Sequence, residues 1–266
     1  MAGIAGTRGS ADGNGSTATF YDPVGITTDG INLYVTDSTN HTIRKIVIAS
    51  GAVTTLAGTA GTSGSVDGVA TTASFYFPKG ITTDGICLYV ADAGNHIIRK
   101  IVIATGAVTT LAGSVGLSGS ADGIGLAAKF NWPEGITTDG TNLYVTDGYC
   151  TIRKIVIATG AVTTLAGTVG ISGSVDGIGT AASFSTSKGI TTDGTSLYVT
   201  DYANFTIRKI VIATGVVTTL AGNVGAMGST DGTGAAAGFF LPTGISTDGK
   251  SLYVSDTRNH TIRKIQ

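Results

Sequence analysis

The sequence repeats itself five times, and this repetition restricts the possible folds more than any other feature. The marker Gly-Ile-Thr-Thr-Asp-Gly recurs every 54 or 55 residues, with one Ser for Thr in the last copy. Its copies start at Gly25, Gly80, Gly135, Gly189 and Gly244. A fixed period of this length indicates repeated supersecondary units that stack on their neighbours to bury a continuous core. Copies this similar also suggest recent duplication or deliberate design.

Each repeat predicts four short strands, because it is rich in β-branched and aromatic residues and is divided by turn residues. In the second repeat the strands are expected at Ile81–Thr83, Leu88–Val90, Ile97–Ala104 and Val108–Leu111. Asp84-Gly85 predicts a hairpin turn of type I′, since that turn needs two central residues with positive φ. Ala93 to His96 is expected as a polar loop, and Thr105-Gly106 as a second tight turn.

The third strand of each of the first four repeats contains Ile-Val-Ile-Ala and is therefore apolar on both faces. Such a strand must be covered on both sides. Four-stranded sheets stacked face to face around an axis provide this cover, which predicts an all-β fold of the β-propeller type. A β-solenoid is the competing architecture, but it does not need tight antiparallel hairpins. We expect a single propeller domain over 1–266, with repeats at approximately 1–55, 56–110, 111–164, 165–219 and 220–266.

The strands carry a recognisable signature. Leu-Tyr-Val-x-Asp followed by Asn-His-x-Ile-Arg-Lys-Ile resembles the NHL repeat, in the variant with a long loop before the first strand. Asn40-His41, Asn95-His96 and Asn259-His260 match the signature, whereas Cys150 and Asn204-Phe205 depart from it. The resemblance covers the whole chain. It implies a propeller, commonly of six blades, that usually binds proteins or other ligands, and a signature histidine whose role is mostly structural.

The fifth repeat is shorter than the others. It runs from Leu220 to Gln266 and lacks the eight residues that correspond to Ile212 to Thr219. The sequence therefore predicts five four-stranded blades, of which the last lacks its outer strand. Ile262 to Ile265 would then form an exposed edge that is able to pair with another chain. We expect either a monomer, as a five-bladed ring or part of a larger ring, or a dimer that is joined through this edge strand.

The repeats differ mainly in two sets of loops: the links before the first strands and the loops after the second strands. The two tight turns within each repeat hardly vary. Aromatic residues are over-represented in binding hot spots, so the varied loops predict a ligand-binding face. Loops also tolerate random change, which is the alternative explanation. The candidate binding residues are Tyr76, Phe77, Lys79, Trp132, Glu134, Tyr149, Tyr202, Phe205 and Arg258.

Charge and composition exclude several partners. The net charge is −1 and only 12% of the residues are charged, which argues against a nucleic-acid binder and against an electrostatic membrane anchor. No apolar run approaches the roughly 18 residues of a membrane span, and no signal peptide is visible at the start. Cys87 and Cys150 stand at different repeat positions and predict no disulfide.

Most charged residues recur once per repeat and so predict architectural roles. The arginine of the third strand and the aspartate that ends the second are expected to pair as clamps between blades, because buried charges need partners. These are Arg44, Arg99, Arg153, Arg208 and Arg263, with Asp37, Asp92, Asp147, Asp201 and Asp256. A further aspartate in each long loop is expected to hold a turn through its own backbone; these are Asp12, Asp67, Asp122, Asp176 and Asp231.

Catalytic chemistry finds little support in the sequence. Glu134 is the only glutamate, the first strands repeat Ile-Thr-Thr, and no Gly-x-Ser-x-Gly elbow occurs. His41, His96 and His260 lie on different repeats, whereas a metal site needs three or four converging ligands. We therefore expect no catalytic residues, no metal and no cofactor.

The function that the sequence favours is a non-enzymatic recognition module whose ligand is a protein or a glycan. A purely structural scaffold and an engineered repeat propeller without a ligand are alternatives, and a propeller hydrolase or lyase is a further one. Bacterial sequences that resemble this one often belong to extracellular or cell-surface proteins, which is the expected location.

Overall fold

The structure is a computed structural model that describes residues 2–148 and 150–266. The chain is an all-β, five-bladed propeller of antiparallel sheets, and the last sheet has three strands. The described helices are three-residue 3-10 turns. None of these helices is long and apolar enough to cross a lipid bilayer. Both the fold class and the incomplete last blade are therefore as predicted.

The strands have the following bounds. The first repeat holds β1 (Gly13–Asn14), β2 (Pro23–Thr28), β3 (Asn32–Asp37), β4 (Thr42–Val47) and β5 (Ala52–Ala57). The second holds β6 (Gly68–Val69), β7 (Pro78–Thr83), β8 (Cys87–Asp92), β9 (Ile97–Val102) and β10 (Ala107–Ala112). The third holds β11 (Gly123–Ile124), β12 (Ile136–Thr138), β13 (Asn142–Asp147), β14 (Thr151–Val156) and β15 (Ala161–Ala166). The fourth holds β16 (Gly177–Ile178), β17 (Ser187–Thr192), β18 (Ser196–Asp201), β19 (Thr206–Val211) and β20 (Val216–Ala221). The fifth holds β21 (Pro242–Thr247), β22 (Leu252–Asp256) and β23 (Thr261–Ile265).

The short helices fall at two recurrent positions. Those in the long links are η1 (Gly15–Thr17), η3 (Ala70–Thr72), η5 (Gly125–Ala127), η6 (Gly179–Ala181) and η8 (Gly234–Ala236). Those after the second main strand are η2 (Ser38–Asn40), η4 (Ala93–Asn95), η7 (Tyr202–Asn204) and η9 (Thr257–Asn259).

The chain divides into two compact units, Met1–Pro133 and Glu134–Gln266. The first unit contains the sheets of the first two repeats, in the orders β1-β5-β4-β3-β2 and β6-β10-β9-β8-β7. The second contains β12 to β15 and the sheets β16-β20-β19-β18-β17 and β21-β22-β23.

Each of the four predicted strands of the second repeat is present; the first, second and fourth are longer than predicted, and the third ends at Val102, two residues earlier than predicted. The strands pair antiparallel in sequence order, with Thr82 opposite Tyr89 and Tyr89 opposite Lys100. The third strand is buried on both faces, since Ile98 and Ile101, which point to opposite sides, are both fully buried. The observation that identified a propeller in the sequence therefore holds in the structure.

The core lies between consecutive sheets. In the first unit, Tyr34, Ile43 and Ala57 of the first repeat belong to one buried cluster with residues of the second repeat. The residues that the second repeat contributes are Ala73, Phe75, Ile81, Leu88, Val90, Ile101 and Val108. One face of a sheet thus packs on the opposite face of the next, which explains why the third strand is apolar on both faces.

The first hairpin turn differs from the prediction. Positive φ occurs only at the glycine, 87° at Gly85, whereas a type I′ turn needs two such residues. The Asp84 N–H donates to the Cys87 carbonyl at 3.3 Å, which leaves Gly85 and Ile86 as the two residues of the loop. Glycine at the first position is the pattern of a type II′ turn. Asp84 precedes the turn, and its carboxylate accepts hydrogen bonds from the Ile86 and Cys87 N–H groups.

The long links add a fifth, very short strand to the outer edge of the complete sheets. In the second repeat β6 pairs with β10, with Gly68 opposite Val108 and Val69 opposite Ala107. Two residues are too few to show any hydrophobic period, and for that reason the sequence did not predict this strand.

Candidate functional site

One buried carboxylate fixes both varied loops of a blade. Asp92, at the end of β8, accepts hydrogen bonds from the Tyr76 N–H at 2.8 Å, from Asn95 Nδ2 at 2.8 Å and from Arg99 Nη1 at 3.1 Å. The Gly94 N–H also donates to the Tyr76 carbonyl at 2.8 Å. The link before the first strand and the loop after the second strand therefore lie side by side, as the prediction of a common loop face requires.

The same anchor recurs where the loop sequences are different. The corresponding aspartates Asp37, Asp201 and Asp256 accept hydrogen bonds from the N–H groups of Tyr21, Ser185 and Phe240, at 2.7 to 2.8 Å. Because the bond uses the backbone of the loop, it imposes no side chain there. The side chains of these loops can vary without loss of the anchor.

The predicted arginine–aspartate pairs are present, but they join parts of one blade and not two blades. Arg99 bridges Asp92 of β8 and Asp67 of the long link, both in its own repeat, and its guanidinium lies 5.1 Å from the ring centre of Phe75. The expectation that Asp67 holds a turn through its own backbone is also wrong. Its carboxylate instead accepts hydrogen bonds from Arg99 and from Thr110 on the outer strand β10, which ties the link to the sheet edge.

Burial disfavours the ionised form of Asp92, the aspartate that holds the two loops. Desolvation raises the pKa of Asp92 to about 6, although Arg99 and Asn95 act against this shift. The carboxylate is paired with the buried guanidinium of Arg99, whose Nη1 lies 3.1 Å from Asp92 Oδ2. Burial raises the pKa of Asp201 in the same way.

The histidines of the Asn-His signature connect one blade to the loop of the next. His41 Nδ1 accepts a hydrogen bond from the Phe77 N–H at 3.2 Å, and His96 Nδ1 accepts one from the Trp132 N–H at 3.0 Å. Phe77 and Trp132 both have φ of 48°, a left-handed conformation that is uncommon for large side chains. The histidines therefore help to hold these two aromatic residues, and burial lowers the pKa of both imidazoles.

Five rings of the first unit form a continuous set, which we call the aromatic cluster; its members are His41, Tyr76, Phe77, His96 and Trp132. The ring centres of His41 and Phe77, and of Tyr76 and Phe77, lie 4.9 Å apart. Trp132 lies 6.3 Å from both Phe77 and His96. Tyr76 and Trp132 keep 38% and 37% of their surface exposed. The structure thus brings three of the predicted site residues together on an accessible surface.

The second unit holds a different group, which we call the charged cluster: Glu134, Lys188 and Tyr202. Lys188 Nζ lies 2.6 Å from Glu134 Oε1 and 5.6 Å from the centre of the Tyr202 ring. Nearby in the sequence, Phe205 pairs edge-on with Phe240 at 5.8 Å. Lys188 was not among the predicted site residues, although it is one of the few basic residues outside the Arg-Lys pair that every repeat carries.

The remaining predicted residues join neither cluster in the described part of the chain. Lys79 is half-buried on β7, and its carbonyl accepts a hydrogen bond from the Thr36 hydroxyl at 2.6 Å. Arg258 is exposed on η9. Tyr149 lies outside the described residues. The histidines of the aromatic cluster were regarded as structural in the sequence, and only their contacts reveal that they belong to the site.

The two clusters offer different kinds of surface. The aromatic cluster offers flat apolar surface, and the charged cluster offers one ion pair. Among the described residues, no group of three or more His, Cys, Asp or Glu side chains is placed to hold a metal ion.

No protein-family profile matches the chain, but individual relatives do. It is 30% identical over 291 residues to human NHL repeat-containing protein 2, covering 96% of this chain and 40% of the relative. It is 31% identical over 286 residues to protein SUPPRESSOR OF QUENCHING 1, chloroplastic, of Arabidopsis thaliana, covering 99% of this chain and 26% of that protein. The chain is an NHL-repeat β-propeller. It spans well under half the length of these curated relatives.

Solved structures share the fold of this NHL-repeat propeller at low sequence identity. An auxiliary nutrient binding protein from Bacteroides thetaiotaomicron superposes with a TM-score of 0.63 at 18% identity, over 100% of this chain and 74% of that one. A chain of a nidogen/laminin complex gives 0.64 at 18% identity, over 92% and 76%. A streptogramin B lyase gives 0.58 at 15% identity, over 96% and 72%. The fold is therefore found in binding proteins and in an enzyme alike.

Proposed function

We propose that this NHL-repeat propeller is a single, non-enzymatic recognition domain that binds a protein or a glycan through its varied loops. The observation that carries the proposal is the aromatic cluster. It presents the partly exposed rings of Tyr76 and Trp132 with Phe77 between them, on loops that a buried carboxylate and two histidines hold in place. Rigid aromatic surface is the main component of binding hot spots, because it buries much area at little cost in conformational entropy.

The comparisons support binding in general terms. One protein of similar fold is named as a nutrient binding protein, and another is part of a complex between proteins. We propose that Lys79 on β7, together with the loop residues Glu134, Tyr149, Tyr202, Phe205 and Arg258, provides further contacts. Because a streptogramin B lyase has a similar fold, an enzymatic function is the second candidate.

Trp132 is the only tryptophan of the chain, so its fluorescence reports directly on the aromatic cluster. The purified protein is titrated with soluble malto-, cello-, xylo- and chito-oligosaccharides, and separately used to select from a phage-displayed peptide library. We expect a ligand that changes the Trp132 emission and binds at least about tenfold more weakly to Phe77→Asn, which loses the central ring but suits the left-handed backbone.

The matched control is Ile86→Ser, which removes an equally apolar side chain that is exposed on the first hairpin turn, outside the varied loops. This variant should bind as well as the unchanged protein. Ligands whose affinity, measured by isothermal titration calorimetry, is unaffected by both Phe77→Asn and Trp132→Asn would overturn the assignment of the site. A ligand that mass spectrometry shows to be cleaved would favour the lyase-type alternative, and the absence of any ligand in both screens would favour a scaffold.

A further inference from the structure

Two members of the aromatic cluster, His41 and His96, are side chains of the type that changes charge near neutral pH. Each imidazole accepts a hydrogen bond at Nδ1 from a backbone N–H of the next loop, at 3.2 Å from Phe77 and at 3.0 Å from Trp132. A ring nitrogen accepts a hydrogen bond only when it carries no proton, so both imidazoles must be neutral, with their proton on Nε2. An imidazolium carries a proton on both nitrogens and can accept neither bond.

The two N–H groups belong to residues that give the cluster its shape. Phe77 and Trp132 both have φ of 48°, and a left-handed backbone is uncommon for large side chains. The Phe77 ring lies between the rings of Tyr76, at 4.9 Å, and Trp132, at 6.3 Å. Loss of the two hydrogen bonds would therefore free the rings that form the exposed aromatic surface.

Two loops of the second unit have the same backbone but no histidine. The positions of the histidine and of the left-handed residue are held by Cys150 and Thr186 in one case and by Phe205 and Leu241 in the other. Thr186 and Leu241 keep the left-handed conformation, with φ of 57° and 52°. Neither a thiol nor a phenyl ring gains a charge in acid. Acid-sensitive hydrogen bonds of this kind therefore support the loops of the aromatic cluster and not these two loops.

The protein environment opposes protonation of both histidines. Burial lowers the pKa of His41 and of His96 below the ordinary value of about 6.5. A lowered pKa means that the folded loops favour the neutral imidazole. The hydrogen bonds are therefore complete above pH 6.5 and are lost as the pH falls through the lowered pKa.

We propose that protonation of His41 and His96 releases Phe77 and Trp132, so that the aromatic cluster binds its ligand at neutral pH and releases it in mildly acidic surroundings. This inference rests on the proposed function, because it concerns the regulation of the same site. An ordered loop binds without a further loss of entropy, whereas a released loop must be ordered at the moment of binding. Ordering the backbone of one residue costs about as much as a tenfold loss of affinity.

Other charged groups lie on the elements that pack around the two imidazoles. They are the buried pairs Asp37–Arg44 and Asp92–Arg99, with Asp22, Lys79, Lys129 and Glu134 on the links. Asp92 matters most for a pH experiment, because its pKa is raised to about 6 and it accepts the hydrogen bond from the Tyr76 N–H. The test must therefore change the histidines and leave this aspartate in place.

Asparagine and phenylalanine separate the two properties of the histidine. Asparagine carries Oδ1 in the place of Nδ1, so it can accept the same hydrogen bond but does not titrate, and it suits a left-handed backbone. Phenylalanine has no acceptor, and it occurs naturally at this position as Phe205, with φ of 59°. The two double variants are His41→Asn with His96→Asn, and His41→Phe with His96→Phe.

The first readout needs no ligand. Trp132 is the only tryptophan, so isotopically labelled tryptophan gives a single backbone amide signal in nuclear magnetic resonance. In the unchanged protein its proton shift should move between pH 7.5 and 4.5, with a midpoint below about 6.5. The asparagine variant should keep a constant shift, and the phenylalanine variant should show the released shift already at pH 7.5.

Circular dichroism at each pH checks that all three proteins remain folded. A signal that does not move in the unchanged protein would overturn the proposal. A signal that moves equally in the asparagine variant would also overturn it, since Asp92 or another group would then be responsible.

The second readout is the affinity for the tightest binder among the oligosaccharides and displayed peptides named above, measured by isothermal titration calorimetry at pH 7.5 and 5. The affinity of the unchanged protein should fall at least about tenfold, and that of the asparagine variant less than about twofold. A binder that requires Phe77 but binds the unchanged protein equally at both pH values would overturn the regulation and leave the proposed function intact. If neither screen yields a binder, the proposed function and its regulation both fail, and the amide signal alone decides whether the histidines hold the loops.

Discussion

Arg99 Nη1 and Asp92 Oδ2 lie 3.1 Å apart, and neither side chain has any exposed surface. The pair is part of a larger arrangement, since Asp92 also accepts hydrogen bonds from Tyr76 and Asn95, and Arg99 donates to the Ser74 carbonyl at 2.8 Å. The buried charged residues of each repeat therefore hold the two varied loops in place through hydrogen bonds. They are structural residues on which a variable binding surface can be built.

Replacement of Arg99 by methionine should be strongly destabilising. The change leaves the buried Asp92 carboxylate without its cation, and breaking a buried pair from one side typically costs 3–5 kcal/mol. Urea unfolding followed by circular dichroism measures the change in the free energy of unfolding. Arg258→Met, at an exposed arginine, is the matched control and should change it by less than about 0.5 kcal/mol. A loss below about 1 kcal/mol for Arg99→Met would mean that the pair contributes little.

The signature histidine should restrict the motion of the tryptophan. In the His96→Phe variant the backbone N–H of Trp132 loses its acceptor, His96 Nδ1. Phenylalanine is compatible with the left-handed backbone, because Phe205 adopts φ of 59° at the equivalent position. We expect a loss of about 1 kcal/mol in stability and stronger quenching of Trp132 fluorescence by acrylamide. His260→Phe, at an exposed histidine of the same signature, should change neither quantity. Unchanged quenching in His96→Phe would show that the imidazole does not hold the loop.

How well the sequence predicted the structure depended on how far apart in the chain the contacting residues are. Strands and hairpins follow from neighbouring residues, so the blade of Ile81 to Leu111 was predicted almost to its ends. The type of the Asp84-Gly85 turn was wrong, because the aspartate lies outside the two-residue loop and accepts hydrogen bonds from it.

Contacts between repeats were less accessible from the sequence. The link from Asp67 to Thr110 spans 43 residues, and no local pattern of residues indicates it. The aromatic residues of the loops were predicted as a surface. Their contact with His41 and His96 depends on how one blade packs on the next, and for this reason the histidines were not included in the site.

The tyrosines of the second strands should make the protein sensitive to alkaline pH. The Tyr34 hydroxyl donates to Asp29 Oδ2 at 2.8 Å, and burial together with this carboxylate raises the pKa of Tyr34 to about 12. A raised pKa means that the folded state holds the phenolic proton more tightly than the unfolded state. The stabilising effect is complete below pH 10 and is lost as the pH rises through 12.

The measurement is urea unfolding of the unchanged protein and of Tyr34→Phe between pH 8 and 12. Tyr34→Phe should be less stable by about 1 kcal/mol at pH 8, because it lacks the hydrogen bond. It should also lose less stability than the unchanged protein as the pH rises. Tyr202→Phe, at a loop tyrosine, serves as the control and should follow the unchanged protein. Parallel pH curves for all three proteins would contradict the assigned role of Tyr34.

The first glycine of the repeated marker should be required by the packing of one blade on the next. A Cβ atom at Gly189 would overlap the carbonyl oxygen of Thr243, at the start of the following blade's inner strand. At Gly244, the same position in the last repeat, the nearest atom to a Cβ would be the Ser255 hydroxyl at 3.0 Å. Alanine at Gly189 must therefore push two backbones apart, and overpacking of this kind typically costs 1–3 kcal/mol.

Gly244→Ala should cost much less, since a single side chain can move. Urea unfolding of the two variants measures the difference, and equal losses would show that the marker glycine is needed within its own blade and not for the contact between blades.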